Sequence, residues 1–200
     1  MVKSHVRWRR LAALLLALVV GPATVVVAAT PASANSGKGA TVKTTIACGV
    51  VRSNMAAEIS ATYDWEWRTG GTQTWRITNR KSVARTYECT RGAAASISDM
   101  RVRTRIRFAG VGITGCTVGT GGVSCSGGST ERNIQLDWYT GKNVSSRTQT
   151  LSSASFTALW AHSAENFTDG RFIHGGVDRN IWVSHYCHYD SEKISCSRRT

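Results

Sequence analysis

The chain predicts an all-β fold, an antiparallel sandwich of two sheets stapled by disulfides, with a partly open barrel as the second arrangement. Three observations carry this. From Thr41 onward, apolar and polar residues alternate with period two almost everywhere, the signature of half-buried strands. Glycine-bearing turn signals recur at short spacing, and the chain has almost no proline. Six cysteines, an even number, follow a leader that directs export.

That leader is residues 1–34. Met1–Arg10 carries Lys3, Arg7, Arg9 and Arg10 and no acid; Leu11–Ala29 is almost wholly apolar; Ala32-Ser33-Ala34 supplies the small residues of a cleavage site. This is the three-part layout of a secretory signal peptide, with cleavage expected near Ala34-Asn35. The apolar run approaches membrane-spanning length, but Gly21-Pro22 inside it and the A-x-A after it oppose an anchor. No cysteine precedes Cys48, which excludes lipid attachment at a processed N-terminal cysteine. The expected product is extracellular, with no stable membrane insertion after cleavage.

Residues 35–40 are small and polar and read as a flexible leader, followed by a single domain over residues 41–200. In the first strand, Val42, Ile46, Cys48 and Val50 share a face. In the second, Tyr63, Trp65 and Trp67 share one face, with Asp64, Glu66 and Arg68 on the other. Trp75 and Ile77 continue the apolar face of a third. A three-residue Gly70-Gly71-Thr72 loop puts Trp67 opposite Trp75, Trp65 opposite Ile77 and Glu66 opposite Arg76. A two-residue loop mixes the faces, so register selects the longer one. Val83, Tyr87 and Cys89 mark a fourth strand. Met100, Val102, Thr104, Ile106 and Phe108 form the inward face of a fifth. A Cys116–Cys125 hairpin follows, then a strand through Ile134, Leu136 and Trp138 that ends at a Thr140-Gly141-Lys142-Asn143 turn. Val144–Leu151 is Ser/Thr-rich and reads as an edge strand. Phe156–Ala161 fits a strand or a helical turn. His162–Gly176, polar and glycine-bearing, reads as the longest loop, and Ile181–Tyr189 with Ile194–Cys196 as the last hairpin.

The spacing of the cysteines narrows their fifteen formal pairings. Cys116 and Cys125 enclose eight residues, as do Cys187 and Cys196, so each pair can face across a short hairpin. Cys48 and Cys89 remain to close the long loop. A metal site using Cys125, Cys187 or Cys196 with His185 or His188 competes with this. The export signal and the lack of C-x-x-C favour disulfides, and His185 and His188, three apart, fall on opposite faces of a strand. No metal or cofactor is expected.

The chain carries 25 Lys+Arg against 12 Asp+Glu, and with the four leader cations removed it stays near +9. An exported chain of this charge is drawn to polyanions, or is merely kept soluble by it. Arg101, Arg103, Arg105 and Arg107 form the sharpest feature. On a strand they share one face at a spacing of about 7 Å. Four like charges in a row demand compensation, either from Asp64, Glu66 or Glu88 on a neighbouring strand or from an external polyanion. Arginine's planar fork suits phosphate and carboxylate.

The Tyr63, Trp65, Trp67 and Trp75 stripe fits a carbohydrate platform or a core, and the core is expected. His162, Glu165, Asp169, Arg171 and His174 supply the acid, base and cation that a small ribonuclease needs. No G-x-S-x-G elbow occurs, no glycine run ends as a P-loop does, and the Asn143 and Asn166 glycosylation patterns read as chance.

The leader, the arginine bias and the C-x8-C hairpins resemble, at the level of a class, small Cys-paired β-sandwich proteins exported by actinobacteria. The resemblance implies no site residue. The expectation is a secreted, non-enzymatic binding protein whose partner is an anionic cell-surface polymer, or an acidic protein in an exported assembly such as a toxin particle or inhibitor complex. The alternative is a small basic hydrolase of ribonuclease type, a toxin acting on nucleic acid through His162, Glu165, Arg171 and His174.

Overall fold

Ten antiparallel strands form two sheets in the computed structural model, which describes residues 34–119, 122–190 and 193–200. β1 (Ala34–Ile46), β2 (Met55–Thr69), β3 (Gln73–Glu88) and β7 (Ser146–Ala158) form a four-stranded sheet in the order β1-β2-β3-β7. β4 (Ile97–Gly119), β5 (Gly122–Gln135), β6 (Tyr139–Val144), β8 (Trp160–His174), β9 (Val177–Asp190) and β10 (Lys193–Arg199) form the other, in the order β10-β9-β8-β4-β5, with β6 also on β4. No helix occurs among the described residues. The all-β, antiparallel, disulfide-stapled class is therefore as expected.

The sheets pack face to face through two apolar clusters. In one, Ala57, Ile59 and Ala61 of β2 meet Met100, Val102, Phe172 and Val183 of the opposite sheet. In the other, Tyr63, Trp67, Trp75 and Ile77 meet Ile106, Phe108, Ala161 and Ala164. The Ala161 carbonyl accepts the Nε1–H groups of both Trp67 (3.1 Å) and Trp75 (2.8 Å), so the two buried indoles lose no hydrogen bond. The aromatic stripe is thus core and not a sugar platform. Gly170 lets the sheets approach, since a Cβ there would lie 2.3 Å from Ile59 Cγ2.

The register of β2 on β3 is the one the three-residue loop requires, with Trp67 opposite Trp75, Trp65 opposite Ile77 and Glu66 opposite Arg76. Beyond it, the third and fourth expected strands are one strand with a bulge. Thr62 pairs Lys81 whereas Asp64 pairs Thr78, so β3 carries one extra residue there, and Asn79 adopts φ 53°. The bulge flips the faces: Trp75 and Ile77 point inward before it, and Arg80, Ser82, Ala84 and Thr86 after it. Val83 and Tyr87 consequently face outward. Asp64 braces this bulge and another in β1, accepting from Asn79 Nδ2 (2.7 Å) and from the Gly39 amide (2.8 Å).

Other expectations are corrected. Residues 35–40 are not a flexible leader: β1 starts at Ala34, with Asn35 paired to Trp67 and Gly37 to Trp65. Gly37 lies under the Trp65 indole, where a Cβ would come within 2.3 Å, so lack of bulk is what admits this segment to the sheet. β1 ends at Ile46, leaving Cys48 and Val50 in the turn before β2. Thr140–Asn143 is not a turn but lies in β6, which pairs the first part of β4, while β5 pairs the second part. The chain leaves β5 after Gln135 and rejoins the sheet at Tyr139. Phe156–Ala161 is strand apart from Leu159, and β7 is an edge strand of its sheet. The largest correction is His162–Gly176, expected as a loop. It lies mostly in β8, an interior strand between β4 and β9. Its polar inner residues Asn166 and Thr168 face a polar seam formed with Arg80, Ser82 and Thr104 between the two apolar clusters.

Disulfides join Cys48 to Cys89 and Cys187 to Cys196, as expected. The first ties the β1–β2 turn to the end of β3. Cys116 and Cys125 occupy opposed positions of β4 and β5, and whether they bond lies outside the described side chains. No described helix is long and apolar enough to cross a membrane; residues 1–33, and with them the signal-peptide reading, lie outside the described residues.

Candidate binding face

The outward face of the six-stranded sheet gathers most of the residues singled out in the sequence. Arg101, Arg103, Arg105 and Arg107 project from β4, while Met100, Val102, Thr104, Ile106 and Phe108 between and beside them are buried. β8 adds Ser163, Glu165, Phe167, Asp169 and Arg171 to the same face, and β9 adds Trp182, Ser184, Tyr186 and His188. Antiparallel register sets Arg101 opposite Arg171, Arg103 opposite Asp169, Arg105 opposite Phe167, and Arg107 opposite Glu165.

The compensation that four arginines demand comes from acids of this face itself, not from Asp64, Glu66 or Glu88. Arg105 holds Asp169 through two bonds, Nε to Oδ2 at 2.6 Å and Nη2 to Oδ1 at 2.7 Å, and Arg103 Nε donates to the same carboxylate at 3.0 Å. Arg101 pairs Asp99, Arg107 pairs Glu131 at 2.7 Å, and Arg171 pairs Asp178. The hydrogen bond to Asp169 holds the Arg105 guanidinium above its usual range. Glu131 does the same for Arg107, and in return Arg107 holds the Glu131 carboxyl below its own. Aromatic rings brace the planes: Arg103 lies 4.4 Å from the Trp138 ring centre, Arg105 4.5 Å from Phe167, and Arg199 3.7 Å from Tyr186. Each guanidinium is thus fixed by a carboxylate or a ring while keeping N–H donors in hand.

Three cavities open along this face. One of about 320 Å³ is lined by Arg103, Trp138, Asp169, Arg171 and Trp182. The next, about 390 Å³, lies between Arg105, Arg107, Glu131 and Phe167. The third, about 330 Å³, is lined by Arg107, His162, Ser163, Glu165, Tyr186 and Arg199. A further cavity of about 460 Å³ lies elsewhere, by Arg85, Tyr87 and Ser145. It brings together one cation and no acid, and offers no convergent chemistry.

The hydrolase set is split. His162 and Glu165 line one cavity, where Glu165 accepts from Ser184 Oγ (2.7 Å) and faces Arg199 (3.4 Å). Arg171 is six residues further along β8, about 20 Å at strand rise, and bound to Asp178. His174 is beyond it, against Ser98. Asp169 is taken by the arginines. Arg107 and Arg199 occupy the cation positions instead. The sequence singled out Arg107 only for the arginine row and Arg199 not at all, because β4 and β10 are brought to β8 only by folding.

His185 and His188 face opposite sides, as expected. His185 points inward and hydrogen-bonds the Tyr63 hydroxyl, and burial holds its pKa below the usual value. His188 stacks on Tyr186 outside. His185, Cys187 and Cys196 are close enough to hold a metal, but both sulfurs are spent in the disulfide. Asn166 is fully buried, which rules out a glycan there in the folded chain. No known protein family matches this chain, and no curated protein matches it.

Proposed function

We propose that this protein is a secreted, non-enzymatic binding module whose outer six-stranded face engages an anionic cell-surface polymer. One observation carries the reading: an arginine row braced by carboxylates and aromatic rings, with three cavities in succession beside it. Four strand positions in alternation span about 20 Å, a length that suits an extended polymer better than a single small anion. The bracing acids lower the net charge of the face but fix its donors in place, which reduces the ordering cost of binding. The leader and the disulfides support export.

The test uses Arg107→Gln and Arg171→Gln. These residues lie toward opposite ends of the face, and their partners Glu131 and Asp178 are exposed enough to remain solvated when left alone. Retention on phosphocellulose at low salt should weaken with each change, and the salt dependence of binding should fall by on the order of one unit of slope per arginine. Unchanged retention in the double variant would mean that the charge serves solubility only.

A second reading, the small hydrolase, is favoured by one specific observation: His162, Glu165, Arg107 and Arg199 line a single cavity. A carboxylate base, an imidazole acid and two guanidiniums are the parts for phosphodiester cleavage. The wild-type protein would then turn over RNA, and His162→Ala would abolish turnover with little change in melting temperature. Absence of turnover by the wild type removes this reading.

A further inference from the structure

We propose that the polar seam between the sheets is an internal binding site for a small monovalent anion, chloride in the extracellular setting, held by Arg80 and Asn166. This site is independent of the outer face.

Arg80 is 1 % exposed and lies in the middle of the sandwich. Its Nη2 donates to the Phe167 carbonyl (2.6 Å) and to Thr168 Oγ1 (3.0 Å). Its Nε and Nη1 have no partner, and no described Asp or Glu forms an ion pair with it. Asn166, fully buried one residue before Phe167, leaves both Nδ2 and Oδ1 unpartnered. Tyr63 links the two: its ring lies 5.6 Å from the Arg80 guanidinium carbon, and its hydroxyl lies beside Asn166 and is bonded to His185. The neighbouring hydroxyls of Ser82, Thr104 and Thr168 bond one another.

The stoichiometry selects the ligand. Arg80 retains three N–H groups, and Asn166 at least one beyond its contact with the Tyr63 hydroxyl, against the single Asn166 carbonyl as acceptor. An enclosed region with surplus donors and an uncompensated positive charge calls for an acceptor that is itself negative. Water would satisfy donors but leave the charge unbalanced, and burying an unpaired charge is strongly unfavourable. Asp169, which acts on Arg80 electrostatically, belongs to the outer face and is held there by Arg103 and Arg105. Protein interiors are close-packed, which favours a monatomic ion over an oxyanion in the seam.

Thermal unfolding of the purified protein tests this, with chloride exchanged stepwise for gluconate at constant ionic strength. Gluconate is too large for the seam. Once the site is filling, the melting temperature should rise roughly 4 °C for each tenfold increase in chloride. Asn166→Asp installs a carboxylate in the seam that holds Arg80 and should make the melting temperature indifferent to chloride. Arg80→Met should do the same if it folds, and Asn166→Asp carries the test if it does not. Bromide-grown crystals should show anomalous density beside Arg80. Equal melting in chloride and gluconate, or an Asn166→Asp variant as chloride-dependent as the wild type, would overturn the proposal.

Discussion

Replacing Asp169 by Asn tests whether the arginine row is held by the protein itself. Asp169 is the most heavily used carboxylate of the outer face, with a side chain only 9 % exposed and bonds to both Arg103 and Arg105. A charge-assisted bond contributes about 1.5–3 kcal/mol when sheltered. Here the arginines are 23 % and 33 % exposed, so solvent discounts that figure. Their mutual repulsion at about 7 Å adds between ~0.6 kcal/mol in water and ~2.4 kcal/mol near a protein surface. Asn retains one acceptor, and the net destabilisation is about 2–3 kcal/mol, or roughly 5–10 °C in melting temperature for a chain of this size. Urea unfolding in a double-mutant cycle with Arg105→Gln and with Arg103→Gln should give the larger coupling to Arg105, which makes two bonds where Arg103 makes one. The same variant makes the face more positive, so its retention on phosphocellulose at low salt should increase. A coupling below about 0.5 kcal/mol to both arginines would refute the account, and the row would then be balanced by something outside the chain.

Gly170→Ala should cost about 1–3 kcal/mol by calorimetry, because its methyl would meet Ile59 and press the sheets apart. Opening Cys48–Cys89, which closes a separation of 41 residues, should cost about 4 kcal/mol, against about 2.6 kcal/mol for the separation of 9 at Cys187–Cys196; equal losses in equilibrium unfolding would contradict the loop-closure account. Acid should destabilise the fold in two windows. His185 is held neutral by burial, so the folded state binds fewer protons than the unfolded; its contribution is complete above a pH of about 6.5 and is lost as pH falls through the depressed value. Asp64, Glu131 and Asp178 are held low by the Gly39 amide, Arg107 and Arg171 respectively, and their contribution is lost further down, below a pH of about 4. A melting temperature flat from pH 7 to 5 would remove the His185 step.

The strands that period two revealed are those in which each inward residue is apolar. Met100 to Phe108 read cleanly because Met, Val, Ile and Phe all enter a core, and Thr104 alone enters the seam. The Trp67–Trp75 hairpin read cleanly because only one loop length keeps charge with charge. Local sequence carried no sign of the β3 bulge. Asn79 is an unremarkable polar residue until Asp64 on the adjacent strand holds its amide, and the one-residue shift then reverses every later side chain. Residues 35–40 lack any strand signal of their own, and it is the Trp65 indole that gives Gly37 its place.

The misreading of β8 bears on function as well as fold. A strand buried on both faces normally reads as an apolar run. β8 does not, because it meets charge on both sides. Inward, Thr168 and the Phe167 carbonyl accept from Arg80. Outward, Asp169 binds the β4 arginines and Glu165 meets Ser184 and Arg199. Gly170, which looked like a loop residue, is where Ile59 of the facing sheet needs room. Polarity and glycine, the two signals that marked the segment as a loop, are therefore what this position in the sandwich requires. An apolar strand here would take the Thr168 hydroxyl from Arg80 and leave Arg103 and Arg105 to repel one another. The arginine row is consequently a property of two strands together, β4 supplying the cations and β8 the carboxylates that hold them apart from one another and open to solvent.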